Sequence, residues 1–355
     1  MLAAKLVGTA LTLTLALALA LGLTPPAMMG ATGAQNEVNI YSYRQPQLVK
    51  NLFKTFTRKT GIKVNIIFAK KGLEERLYQE GKNSPADVLF TVGVGRLDNA
   101  KQLGVTQAVF SKAINEAIPA AYRDPDGHWF GLTTRARIVY ASKARVSQTE
   151  ITYEELAEPK WKGRICSRSG QNTYSIALVA SMIANLGEDK AQEWLAGLKD
   201  NLAVKPAGND RAQVKSVYSG QCDISIGHTY YMAAMLNNTK KPEQKEWAKS
   251  VRIIFPNTKG RGTHVDISGI AMAKNAPNRD NALKLMEWLT GPDAQKIYAE
   301  VVNEYPLRRD VGLSEMVSSW GEMKPDPLPI TDIAKYRKRA SELVDEVGFD
   351  DGPSS

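Results

Sequence analysis

From Glu37 onward the chain switches repeatedly between two hydrophobic periods, and this alternation limits the possible folds more than any other feature of the sequence. Val38 and Ile40 alternate as in a short strand ending at Tyr41. Pro46 suits a helix start, and Leu48, Leu52, Phe53 and Phe56 then recur at helical spacing up to Gly61. Residues 62–68 read as a strand, 72–81 as a helix and 86–91 as a buried strand. This β-α-β-α-β order predicts a mostly parallel sheet with helices on both faces. A second round starts near Gly131, with strands at 138–141, 222–226, 253–255 and 267–273. Its helices are read at 175–186, 189–198, 211–219, 232–236, 281–289 and 292–301, and a last one at 333–344 after Pro325, Pro327 and Pro329. Two α/β rounds in a chain of this length imply two lobes, at ~100–200 residues per domain. No Gly/Ser linker separates them, so structured crossover strands should join them. Ligands of such sheets bind beyond the carboxyl ends of strands, where lobes face each other.

The first 34 residues stand apart. Lys5 is followed by an uncharged Leu/Ala-rich run over residues 6–23, a Pro25-Pro26 break and the small-x-small sequence Thr32-Gly33-Ala34. This reads as a secretory signal peptide, which places the mature chain in the periplasm without a membrane span. No cysteine lies near the cleavage site, so no lipid anchor is expected. Cys166 and Cys222 are the only cysteines, and an oxidising compartment favours their pairing. The net charge of +9 is spread without a basic, aromatic-interleaved stripe, which argues against nucleic-acid binding. With three histidines and two cysteines, a zinc- or copper-type site is poorly supplied.

Four polar segments follow strands: 41–46 (YSYRQP), 133–137 (TTRAR), 168–174 (RSGQNTY) and 227–231 (GHTYY). Together they hold several tyrosines and arginines and no Asp or Glu. A phenol is neutral at pH 7, with a pKa of about 10. A trivalent cation can displace its proton, and the resulting phenolate is a hard donor suited to ferric iron. Arginine's planar fork matches a carbonate-like anion. The enzyme motifs are missing: Gly93-Val94-Gly95 lacks the third glycine of a dinucleotide loop, and neither a P-loop nor a GxSxG elbow occurs. The chain therefore reads as a binding protein and not an enzyme. A rival reading keeps the fold and changes the ligand to a phosphate-like anion or a polyamine.

The segments EVNIYSYRQP, GIKVNIIFAKKG, SPADVLFTV, WFGLTTRAR, RSGQNTYS, DRAQVKSVYSGQCDISIGHTYYMAAML and THVDISGIAMAKNAPN together resemble the ferric-iron-binding periplasmic proteins of bacterial ABC uptake systems. The resemblance covers essentially the whole mature chain. It implies a two-lobed periplasmic binding protein fold of type II, with the ligand cleft between lobes. The expected division is a signal peptide over 1–34, an N-lobe of 35–134 plus 263–304, and a C-lobe of 135–262 plus 305–355. By the same resemblance Tyr174, Tyr230 and Tyr231 ligate Fe(III). Arg135 and Arg44 face the iron or a synergistic carbonate or bicarbonate, with Tyr41, Ser42 and Arg137 as further cleft residues. It also implies a Cys166–Cys222 disulfide, a monomeric state and delivery to an ABC permease. One departure stands out. Where many relatives carry SRHY, this chain has Tyr43-Arg44-Gln45-Pro46, so the site is expected to use three tyrosines. Tyr43 is read as a packing residue and His228 as a surface or hinge-side residue.

Overall fold

The computed structural model describes residues 36–354; the expected signal peptide lies outside the described residues. Chain order opens with β1 (Glu37–Ser42), α1 (Pro46–Thr60), β2 (Lys63–Phe68), α2 (Leu73–Glu80), β3 (Val88–Val92), α3 (Val94–Gln102), β4 (Thr106–Gln107) and α4 (Lys112–Ala117). Helix α1 begins on Pro46, as its fixed φ favours. It ends where Gly61 adopts φ +72° and its N–H reaches back to the Thr57 carbonyl. The first β-α-β-α-β round is parallel as expected, with β2 and β3 flanking β1.

The sheet then departs from expectation. With β5 (Phe130–Ser142), β6 (Ile165–Cys166), β7 (Ile224–His228) and β9 (Val265–Ala273), its order is β2-β1-β3-β9-β5-β7-β6, and its central pairs, β3 with β9, β9 with β5 and β5 with β7, are antiparallel. Among the described strands of the second round, β6 pairs in parallel with β7. The sequence reading followed consecutive elements, whereas β9 returns from far along the chain to pair β3 and β5.

Strand β5 organises this arrangement. It runs for 13 residues, all buried, although only 138–141 reads as a strand in the sequence. Its first half pairs β9 on one side, from Phe130↔Ile270 to Ala136↔Val265, and β10 (Tyr305–Pro306) on the other. Its second half pairs β7, from Arg137↔His228 to Ala141↔Ile224, and β8 (Val251–Ile254). The partner sets change between Ala136 and Arg137. Thr133, Thr134, Arg135 and Arg137 hid this strand because polar residues in a row read as a loop; they are buried here because distant segments supply their partners.

The second round also carries α5 (Thr173–Leu186), α6 (Glu188–Asp200), α7 (Asp210–Tyr218), α8 (Thr229–Leu236) and α9 (Glu243–Ser250). After β9 come α10 (Arg279–Thr290) and α11 (Pro292–Val302), and after β10 a tail of α12 (Glu315–Ser318), α13 (Ile330–Ala334) and α14 (Arg337–Val347). The single tail helix expected over 333–344 is thus two, broken at Lys335-Tyr336. Apolar residues collect in three clusters. One lies around Val38, Phe53, Phe90 and Leu285, one around Leu97, Ile165, Leu178 and Leu343, and one around Ile138, Tyr140, Val214 and Met235. Among the described residues no helix is long and apolar enough to cross a membrane.

Cys166 and Cys222 form the disulfide, with Cα atoms 5.8 Å apart and a sequence separation of 56. The bridge closes a loop that contains α5, α6 and α7. Replacing both cysteines by serine should lower the unfolding free energy by about 4 kcal/mol in the chain-entropy description. Denaturant titration of the oxidised protein against the double variant measures it, and equal midpoints would show that the loop gains nothing from closure.

Candidate functional site

Two helix starts bring three tyrosines together. Asn172 caps α5 by accepting the Tyr174 N–H at 3.0 Å, which holds Tyr174 in the first turn. Helix α8 begins at Thr229, immediately after β7, so Tyr230 and Tyr231 also occupy a first turn, three residues earlier than the helix read at 232. Backbone N–H groups there lack intrahelical partners, and the positive end of the helix favours anionic neighbours. The Tyr230 and Tyr231 rings have centroids 4.2 Å apart. His228 joins the two helix starts: its ring meets Tyr174 edge-on at 4.6 Å and lies 6.3 Å from Tyr230.

Arginines surround these rings. Arg135 and Arg168 sit 5.4 Å and 5.2 Å from the Tyr174 centroid, and Arg211 sits 4.9 Å from that of Tyr231. Behind them lie carboxylates that the sequence reading did not single out. Asp210, at the start of α7, accepts from Arg168 at 3.0 Å and from the His228 backbone N–H at 3.0 Å, and faces Arg137 at 3.5 Å. Burial alone would raise its pKa; Arg137, His228 and Arg168 overcome that and hold the carboxyl well below the usual carboxylate range. Asp266 on β9 faces Arg135 at 3.3 Å. Glu304, fully buried, pairs with Arg44 and accepts from Thr133 at 2.6 Å and Ser268 at 3.0 Å.

The two arginines expected at the anion differ in what they have left to offer. Arg44 donates to Tyr298 and Ser268, each at 2.9 Å, and to Glu304. Arg135 donates to Ser268 at 2.8 Å, while its Nε and Nη2 are buried without a hydrogen-bond acceptor. The first segment divides likewise. Ser42 serves the local turn, its hydroxyl donating to the Arg44 carbonyl and accepting the Arg44 N–H, both at 3.0 Å. Tyr41 donates to Glu80 at 2.7 Å under the Arg76 guanidinium, so its hydroxyl is spent away from the tyrosine group; burial and then Glu80 push its pKa up to about 12. Tyr43 is buried, donates to Glu74 and lies under Arg96, in keeping with a packing role. His228 is not at the surface: it is fully buried, and desolvation brings its pKa down to about 3, so the ring is neutral.

Burial, followed by the neighbouring Tyr174 and Tyr231, pushes the Tyr230 phenol well above its ordinary pKa. Burial and then Asp210 push Tyr231 up as well. Without a cation both phenols are firmly protonated; a trivalent ion within reach would reverse that preference. Sequence signals for the missed residues were uneven. Asp266 and Ser268 lie in the DISG stretch of a segment already singled out, Asp210 opens the DRAQVKSVYSG stretch of another, and Arg168 opens RSGQNTY, whereas Glu304 and Tyr298 have no local pattern to mark them.

Comparison with known proteins places this geometry. The sequence profile of the bacterial extracellular solute-binding proteins matches residues 51–325. Iron uptake protein A1 of Synechocystis is 42% identical over 348 residues, covering 97% of this chain and 96% of its own. The structure is similar to that of ferric iron-binding protein A from Mannheimia haemolytica in an open conformation, with 49% identity, a TM-score of 0.84, and coverage of 89% of this chain and 99% of that one. It is also similar to a Trichodesmium protein solved with iron and citrate ligands, with 42% identity, a TM-score of 0.84, and coverage of 88% and 99%. The fold is the two-lobed type II binding-protein fold. The chain belongs to the family of bacterial extracellular solute-binding proteins.

Proposed function

We propose that this protein binds ferric iron in the periplasm through the phenolates of Tyr174, Tyr230 and Tyr231, with carbonate or bicarbonate as companion anion, and delivers it to an ABC permease as a monomer. The observation that carries the reading is the convergence of three tyrosines from two helix starts within one ring of arginines. The names of the relatives, an iron uptake protein and ferric iron-binding proteins, point the same way.

Charge supports the anion. Three buried arginines (Arg44, Arg135 and Arg137) and the partly buried Arg168 face three buried carboxylates (Asp210, Asp266 and Glu304), and His228 is neutral. Three phenolates neutralise Fe(III) among themselves, which leaves at least one cation in excess, with Arg211 beside Tyr231 adding to it, and favours a companion anion. Arg135 is the better holder: it faces Asp266 as an ion pair but keeps Nε and Nη2 without a hydrogen-bond acceptor, whereas Arg44 already donates to Tyr298, Ser268 and Glu304. The same pairing disfavours a polyamine, because each carboxylate near the tyrosines already has an arginine partner. The lobes we infer are 35–134 with 263–304, and 135–262 with 305–355. The change of partners along β5 between Ala136 and Arg137 supports that division. The tyrosines and Arg168 then lie on the second lobe and Arg44 on the first, so lobe closure would bring the two sets together around the ion.

Iron-loaded protein should show a visible phenolate-to-iron charge-transfer band. Tyr230→Phe combined with Tyr231→Phe should abolish the band and weaken iron binding by more than about a hundredfold, since even groups behind the ligands typically cost ~10–100-fold. Full colour and affinity in that variant would overturn the assignment, and calorimetry showing tight phosphate or spermidine binding with none of iron would replace it.

Acid should weaken binding. The phenols of Tyr230 and Tyr231 have raised pKa values, so both are protonated before iron arrives and must release those protons on binding. Affinity therefore falls as pH drops, by about tenfold per pH unit for each proton released. Competition against a chelator of known pH dependence from pH 8 to pH 5 measures this. A flat intrinsic affinity would exclude phenolate ligation.

A further inference from the structure

The segment that delivers Tyr174 is held by a part of the chain far away in sequence. Ser169 Oγ and Gly170 N donate to the Asp350 carboxylate at 2.5 Å and 2.6 Å. Gln171 Nε2 donates to the Ser341 carbonyl and to Asp345, each at 2.8 Å, and the Ser341 hydroxyl donates back to Gln171 at 2.7 Å. Arg337, the first residue of α14, donates to both oxygens of Thr173: to the hydroxyl at 3.1 Å and to the carbonyl at 3.4 Å. Of the residues from 169 to 173, only Asn172 has no such bond to the tail, and it caps α5 through Tyr174 itself. Packing reinforces the grip, since a Cβ on Gly170 would lie 2.7 Å from Val344.

Arg337 also reaches the opposite side. Its guanidinium fills the space beside Gly95 on α3, where an added Cβ would stand 1.9 Å from Nε. Thr173 faces the same helix start, with its hydroxyl 3.9 Å from where a Gly93 Cβ would be. Helix α3 follows β3 in the first β-α-β-α-β round, whereas α5 carries Tyr174. Its hydrogen bonds go to Thr173 and not to a carboxylate, and the charges of Asp266 and Asp98 act on it only at longer range.

We propose that the C-terminal tail is part of the frame of the binding site, with Arg337 as the positioning residue that couples α3 to the start of α5 and thereby fixes Tyr174. The proposal rests on the reading of Tyr174 as an iron ligand. Arg337 does not touch the ion; it removes freedom from the backbone one residue ahead of the phenol and ties that backbone to the facing helix.

The test follows iron transfer from loaded protein to excess EDTA, read as decay of the charge-transfer band. Arg337→Ala should release iron about tenfold faster or more, the scale on which groups behind a metal ligand act. Arg337→Lys should fall between the two, because a single ammonium cannot span both Thr173 oxygens as the fork does. Gly95→Ala keeps Arg337 but displaces its guanidinium, so it should release iron as Arg337→Ala does. It does so in a helix where alanine is the better former, so a general loss of stability does not account for the effect. Arg339→Ala, which breaks exposed pairs with Glu188 and Glu346 on the same helix, should release iron at the wild-type rate. Wild-type release from both Arg337→Ala and Gly95→Ala would overturn the positioning role. If Tyr174→Phe then shifts the band, the ligand reading survives that failure. If Tyr174→Phe changes neither band nor release, the ligand reading fails and the positioning role falls with it.

Discussion

Three buried guanidinium groups, with the partly buried Arg168 beside them, set the terms for the rest of the molecule. A buried cation is tolerated only when it is paired and hydrogen-bonded, and leaving one unpaired costs several kcal/mol, on the order of 3–5. Arg135 and Arg137 stand on β5, whose first half is paired to β9 and second half to β7. Their carboxylates come from elsewhere: Asp266 from β9 and Asp210 from α7. Arg44 draws on Glu304, 260 residues away in sequence. Satisfying these charges therefore fixes how β1, β5, β9, α7 and the start of β10 meet, and the tyrosines are placed by what results. The pairing is weak evidence for added stability, since well-packed apolar groups could do as well. What it supplies is a site whose charge is almost balanced before any ligand arrives.

Much of the fold was legible in the sequence because it is written in local patterns. Pro46 and Gly61 bound α1 as expected, and the first parallel round follows from alternating periods. The disulfide follows from having two cysteines in an exported chain. The antiparallel centre of the sheet was not legible, since nothing near residues 265–273 says that β9 returns to lie between β3 and β5. Nor was most of β5, where Thr133 to Arg137 look like a loop until Glu304, Ser268 and Asp266 are brought to them.

The site shows the same split. Tyr230–Tyr231, Tyr174, Arg135 and Arg44 sit in segments that could be picked out one by one, and the structure brings the tyrosines and Arg135 into one group. Tyr41 shares a segment with Arg44, yet its hydroxyl goes to Glu80. A segment-level reading cannot separate such neighbours, because Tyr41 is directed by the face of β1 it stands on while Arg44 lies in the bend beyond that strand. Of the two expectations for His228, surface or hinge-side, the surface one fails for a related reason, while its pairing with Arg137 puts it where the partners of β5 change. A polar residue at a strand end looks exposed until α7 covers it with Asp210.

The continuity of β5 has a mechanical consequence. One unbroken 13-residue strand belongs to both halves of the sheet, with Arg135 on one side of the change in partners and Arg137 on the other. A rotation of the halves about that point must be taken up as torsion spread along hydrogen-bonded backbone, as in a leaf spring, and not as the ordering of a slack tether. Ordering a flexible residue costs about 1–2 kcal/mol of backbone entropy, and a spring that is already ordered avoids it. Such a rotation would be elastic, and it would carry the guanidinium groups of Arg135 and Arg137 relative to one another as the strand flexed.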